Sequence, residues 1–133
     1  MKKLTLSLIL ITLTATAILF ASPFSKDTIL NAEEVKKKWG ETSIDYARFK
    51  TGDLKIKSQM AYSILKDKSL IGKHVKYIRA NLGSPDGFYF IDVYPAYIIQ
   101  EGQNRTEETW QIVFKLNENA KVREVVVHKN CCD

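Results

Sequence analysis

The stretch "LIGKHVKYIRANLGSPDGFYF", residues 70–90, decides how this chain is read. Leu70-Ile71-Gly72 breaks one helical pattern, and Val75, Ile78 and Leu82, at i, i+3 and i+7, give the next helix a single apolar face. His74 begins that helix and is expected to face water. Gly83 stands where a left-handed cap belongs, Pro85 cannot continue a helix, and Ser84-Pro85-Asp86-Gly87 has the composition of a turn. From Phe88 the period changes. Residues 88–94 are aromatic and β-branched and are predicted to form the first strand. Pro95 interrupts it, Tyr97-Ile98-Ile99 resumes it, and the proline points to an edge position or a bulge. The joint is thus scaffold: the helix must stop abruptly so that the strand can turn back beneath it.

Upstream the pattern is helical. Asn31 can accept from the backbone amide of Glu34, and Glu34 can reach back, which starts a short helix ending near Trp39-Gly40. Residues 41–51 are read as irregular, anchored by Ile44, Tyr46 and Phe49. Asp53 caps a second helix of about fifteen residues, with Ile56, Met60 and Ile64 on one stripe that Ala61 and Leu65 widen. Downstream the pattern is β. Residues 101–108 form a polar loop. Trp110, Ile112, Phe114 and Leu116 alternate with Gln111, Val113 and Lys115 in a half-buried strand. Residues 117–121 are a hairpin turn. Residues 122–128 are the last strand, with Val125 and Val127 on one face. Helices followed by hairpin-linked strands predict an α+β, two-layer domain. Its N-terminal helices pack on one face of a three-stranded, or slightly larger, antiparallel meander.

The ends carry other information. Met1-Lys2-Lys3 is basic, residues 4–20 hold no charge, and Ala21-Ser22-Pro23 follow, which is the layout of a secretory leader. Residues 1–21 are read as a signal peptide, either cut near Ala21 or kept as an anchor. Residues 22–30 are a linker, residues 31–130 a single domain, and residues 131–133 a tail. The net charge of +5 falls to +3 without the leader, which carries Lys2 and Lys3 and no acid. A basic excess this small and scattered, on an exported chain, argues against nucleic acid as a partner. Membrane association is expected only through an uncleaved leader, and the predicted location is the periplasm.

No arrangement of acid, base and nucleophile can be assembled from this sequence. His74 and His128 are its histidines, and no nucleophile elbow, phosphate-binding loop or zinc-protease motif occurs. The adjacent pairs Glu33-Glu34 and Glu107-Glu108 point apart in a helix or strand and read as solvated charge. The sequence therefore predicts a protein that is not an enzyme and needs no cofactor. Cys131 and Cys132 are neighbours near the end, able to close a strained vicinal bridge or pair with another chain. With His128 and Asp133 they offer metal-binding chemistry, but at a spacing that fits no standard closed site, so no metal is expected. Asn104-Arg105-Thr106 is a glycosylation sequon, incidental behind a bacterial-type leader.

The aromatic run is the remaining feature. Alternation along the predicted strand sends either Phe88 and Phe90, or Tyr89 and Ile91, towards the helices. It leaves tyrosines on the open sheet face, so Tyr89, Tyr94 and Tyr97 are the candidate partner surface.

Lys57-Ser58-Gln59-Met60, Leu70-Ile71-Gly72-Lys73, Leu82-Gly83-Ser84-Pro85-Asp86, Tyr97-Ile98-Ile99 and Phe114-Lys115-Leu116-Asn117, in this order, resemble the BamE-like (SmpA/OmlA-type) outer-membrane assembly lipoproteins. More loosely they resemble the β-lactamase-inhibitor-like superfamily. The resemblance spans residues 49–128 or so. It implies the helix-helix-sheet layout and a non-enzymatic binding or adaptor role in the bacterial cell envelope. The partner would be an envelope protein, docked through the sheet face or a sheet edge. The superfamily likeness implies a second role, inhibition of a periplasmic or secreted enzyme by a loop such as residues 101–109. The assembly lipoproteins carry a lipid-bearing cysteine after their signal, whereas Ser22-Pro23 stands here, and residues 24–50 make a longer stretch before the matching helix.

Overall fold

The computed structural model describes residues 29–103 and 108–130. Residues 1–21, which are expected to form a leader, lie outside the described residues, as do the sequon and the two cysteines. Four helices are laid down first: α1 (Ala32–Trp39), α2 (Tyr46–Thr51), α3 (Leu54–Lys66) and α4 (Val75–Leu82). Each begins on a side chain that accepts from its own first turn. Asn31 and Glu34 form a reciprocal capping box, and Asp45, Asp53 and His74 accept from the amides of Arg48, Ile56 and Lys76. The segment expected to be irregular, residues 41–51, contains α2. Its signal was Asp45 ahead of an apolar face of only six residues, too short for periodicity to register.

The sheet has four antiparallel strands, β1 (Ile29–Leu30), β2 (Ala96–Gln100), β3 (Thr109–Leu116) and β4 (Val122–Asn130), in the order β1-β4-β3-β2. The meander is as the pattern predicts. The fourth strand is an addition: Ile29 and Leu30, expected in a linker, pair with His128 and Val127 of β4. A two-residue strand carries no alternation to read.

All four helices cover one face of this sheet. Their stripes supply Val35, Phe49, Met60, Ala61, Ile64, Ile78 and Leu82, which meet Tyr97, Ile99, Ile112, Phe114 and Val127 from the strands in one buried cluster. Val75, Ile78 and Leu82 point inward as their spacing requires, with Val75 half-buried. Gly83 takes φ +89, a region only glycine enters at little cost, and its N–H closes the last turn on the Arg79 carbonyl.

The main correction concerns residues 88–94. They are not a strand. β2 begins only at Ala96, immediately after Pro95. Three local facts account for this. The Asp86 and Gly87 amides both donate to the Ala96 carbonyl, and Asp86 Oδ1 accepts from the Ile98 amide, so the 84–87 turn already occupies the outer edge of β2. Phe90 has φ +51, which breaks an extended run. Pro95 has no N–H to offer a ladder. The aromatic segment instead crosses the second face of the sheet as a loop, residues 84–95, called here the strap.

Candidate functional site

The ends of the strap are bonded to β2 and β3, and its middle is held by one side chain. Gln111 of β3 points to the second sheet face and is fully buried. The Phe88 amide donates to Gln111 Oε1 at 3.1 Å, and Gln111 Nε2 donates to the Phe88 carbonyl at 2.6 Å. The strap thereby satisfies both backbone groups of Phe88 without a neighbouring strand. Gly87 permits the approach, since a Cβ there would stand 2.4 Å from Gln111 Oε1.

Beyond the clasp the strap lies on His128. Tyr89 meets the imidazole edge-on with ring centres 4.7 Å apart, and Phe90 meets it at 6.0 Å. Tyr94 stacks on Tyr89 at 6.3 Å. Beneath them Ala96, Val113 and Val126, one from each long strand, form a second, small apolar cluster. Lys115 reaches over the Tyr89 ring, 5.6 Å from its centre, and is paired with Glu124 across the strands at 3.2 Å. Burial, helped by the Lys115 charge, holds the His128 pKa below the usual histidine range.

The outer surface of the strap is apolar. Phe88, Phe90, Ile91 and Val93 keep 51%, 75%, 47% and 58% of their surface in water. Such a run on six residues of a loop is an exposed patch rather than scattered surface leucines. A cleft of about 390 Å³ opens beside it between Ile91, Val93 and Tyr94 of the strap and Leu116, Asn117, Glu118 and Ala120 of the β3–β4 hairpin.

The expected partner-surface residues separate. Tyr89 and Tyr94 do lie on the second sheet face, but half-buried as the underside of the strap. Tyr97 is corrected: it is 1% exposed and faces the helices, edge-on to Phe49 and Phe114, with its hydroxyl donating to the Gly83 carbonyl at 2.8 Å. Pro95 and the late start of β2 set the parity that sends it inward. Burial pushes its phenol pKa well up. The exposed residues are instead Phe88, Phe90 and Ile91, which strand alternation had assigned in part to the core. The signal for this was Ser84-Pro85-Asp86-Gly87 followed by Pro95, two breakers bracketing the run.

The other candidates find structural roles or fall outside the description. His74 caps α4 through Nδ1, which accepts from the Lys76 amide at 3.1 Å. Glu34 belongs to the α1 capping box, and Glu108 pairs with Lys129 at 2.9 Å. Cys131, Cys132 and Asp133 lie outside the described residues, as do Glu107 and the middle of the 101–109 loop. No group of three metal-ligating side chains occurs among the described residues. The outer edge of β2, a candidate docking edge, is closed at Ala96 and Ile98 by the turn described above.

The fold is an α+β domain with helices on one face of the sheet and the strap across the other. The chain matches no protein-family model, no curated protein and no solved structure.

Proposed function

We propose that this chain is a non-enzymatic binding or adaptor protein of the bacterial cell envelope. It is exported by its leader and docks a partner protein through the outer surface of the strap. The observation that carries the reading is the exposure of Phe88, Phe90, Ile91 and Val93 on a loop pinned to the sheet by Gln111. Four apolar side chains held in water cost free energy, roughly 25 cal/mol for each Å² that a partner could cover. A preformed loop also loses little entropy on binding, so the covered area converts more fully into affinity. The export part of the reading rests on residues 1–21, and the adaptor part agrees with the resemblance to BamE-like proteins.

A photocrosslinking amino acid at position 90, incorporated in intact cells, tests this. The expected product is one discrete adduct with an envelope protein. The same probe at Ile71, 45% exposed at the foot of the helical layer, should give none. Absence of an adduct at 90, or the same adduct from both positions, overturns the proposal.

A further inference from the structure

The clasp between Gln111 and Phe88 has a property that follows from which atoms donate. A side-chain amide can sit in two orientations, related by exchanging its oxygen and nitrogen. Only one satisfies Phe88, with Oε1 towards its N–H and Nε2 towards its carbonyl. The exchanged orientation would set donor against donor and acceptor against acceptor, and both bonds would be lost. Gln111 Nε2 is therefore fixed, 3.4 Å from His128 Nδ1, and with one hydrogen given to Phe88 it has a second to donate across that gap. Nδ1 must then be an acceptor, which assigns the imidazole proton to Nε2.

We infer that the strap is a pH-operated cover, in which protonation of His128 at Nδ1 breaks the Gln111–Phe88 clasp and lifts residues 88–94 from the sheet, while the 84–87 turn and Pro95 stay bonded to β2 and β3. A proton on Nδ1 places two N–H donors face to face. Gln111 cannot turn away without giving up Phe88. The new charge finds little water either, because His128 is 8% exposed under Tyr89 and Phe90.

Among the described residues, the groups facing His128 do not relieve it. From β3 come Gln111 and the Lys115 cation, and from the strap the rings of Tyr89 and Phe90. From β1 the residue opposite is Ile29, which carries no charge. The Glu124 carboxylate on the same face is already paired with Lys115. The helices pack on the other face of the sheet.

Burial and the Lys115 charge both disfavour the imidazolium in the closed state, so the closed strap prefers the neutral ring. The sign follows. The open strap has a histidine pKa near 6.5 and the closed strap a lower one. Closure is fully favoured above about pH 6.5 and is lost as pH falls through the closed-state value. What lifting exposes is Ala96, Val113 and Val126 together with the undersides of Tyr89 and Tyr94, an apolar extension of the surface already in water. This gives the docking reading its regulation, and it rests on that reading for the purpose of the uncovered face but not for the motion.

The test uses the protein in the form the cell produces, without a partner. His128 is titrated by imidazole NMR while hydrogen exchange is followed at the Phe88 amide, corrected for its intrinsic pH dependence. Exchange at Val113, between β2 and β4 in the sheet, is the reference. The expected result is that Phe88 protection falls about tenfold for each pH unit over which the ring becomes charged, with a midpoint below about 6.5, while Val113 stays protected. H128L should hold Phe88 protection level across the same range. Three results overturn the inference: His128 titrating with Phe88 protection unchanged, protection lost while His128 stays neutral, or no titration of His128 down to about pH 4. If H128L does not fold, the unsubstituted protein decides between these outcomes alone. None of them involves a partner, so a failed crosslink at position 90 and a failed titration remain separate results.

Discussion

Gln111 holds Phe88 by both of its backbone polar groups, and this pair decides the second face of the sheet. A fully buried glutamine is tolerated only because its amide is matched there. Q111L keeps the volume and removes the match. The strap should release while the helical core survives. Two bonds of ordinary net strength are lost, so urea denaturation should show about 1–3 kcal/mol less stability. The edge-on contact of Trp39 and Trp110 lies on the other face of the sheet, so the near-ultraviolet signal of these rings should be retained.

Gly87 tests the same contact from the strap side. In G87A the added methyl would stand 2.4 Å from Gln111 Oε1 and 3.2 Å from Ala96. Neither neighbour is the free end of a surface chain. G87A should therefore unseat the clasp and speed exchange at Phe88 much as Q111L does. Combined, the two substitutions should cost less than the sum of their separate effects, because the second acts on a contact already broken. Denaturation of the single and double variants measures this directly.

Tyr97 couples the helical joint to the core. Its hydroxyl donates to the Gly83 carbonyl, the residue whose positive φ ends α4. Y97F leaves the ring between Phe49 and Phe114 and orphans that carbonyl. The expected loss is about 1 kcal/mol in urea denaturation, with some recovery if water reaches Gly83. Y97A removes the ring as well and should cost about 3–5 kcal/mol, the usual range for emptying an aromatic site in a core.

Asn31 sits where β1 hands over to α1. It accepts from the Glu34 amide at 3.0 Å while Glu34 accepts from its own at 2.8 Å. N31A should lower stability by about 1 kcal/mol. Because Leu30 pairs with Val127 immediately before the cap, exchange at the β1–β4 rung should rise in the same variant. Exchange-detected NMR reports both.

What could be read from the residues was whatever repeats with a period or ends in a cap. The α3 stripe, the Val75-Ile78-Leu82 face, the Gly83 stop and the β3–β4 hairpin all carry such signals. The strap does not. Residues 88–94 have the composition of a strand, and composition measures fitness for a half-buried surface rather than a commitment to a ladder. A side chain twenty-three positions away, Gln111, occupies the hydrogen bonds that a neighbouring strand would have used. Gln111 itself reads as the polar half of an alternating strand, so nothing in its sequence context marks it as a clasp. Tyr97 was misplaced for a related reason: its face depends on where β2 starts, and moving a strand by one residue exchanges its faces.

Among the described residues Phe90 is the most exposed of the large apolar side chains, at 75%, and it is held at φ +51. A left-handed backbone at a non-glycine residue costs roughly 1–2 kcal/mol, and an aromatic ring kept in water recovers little of that. Its contacts with Tyr89 and His128 offset part of the cost. Glycine at this position would relieve the backbone and delete the ring. F90G should thus leave urea stability within about 1 kcal/mol of the parent, while the envelope adduct, read with the photoprobe moved to position 93, is lost. If the ring served only folding, the balance would run the other way. F90G would then be destabilised by several kcal/mol, as for a buried phenylalanine, and the crosslink from position 93 would persist in the folded fraction.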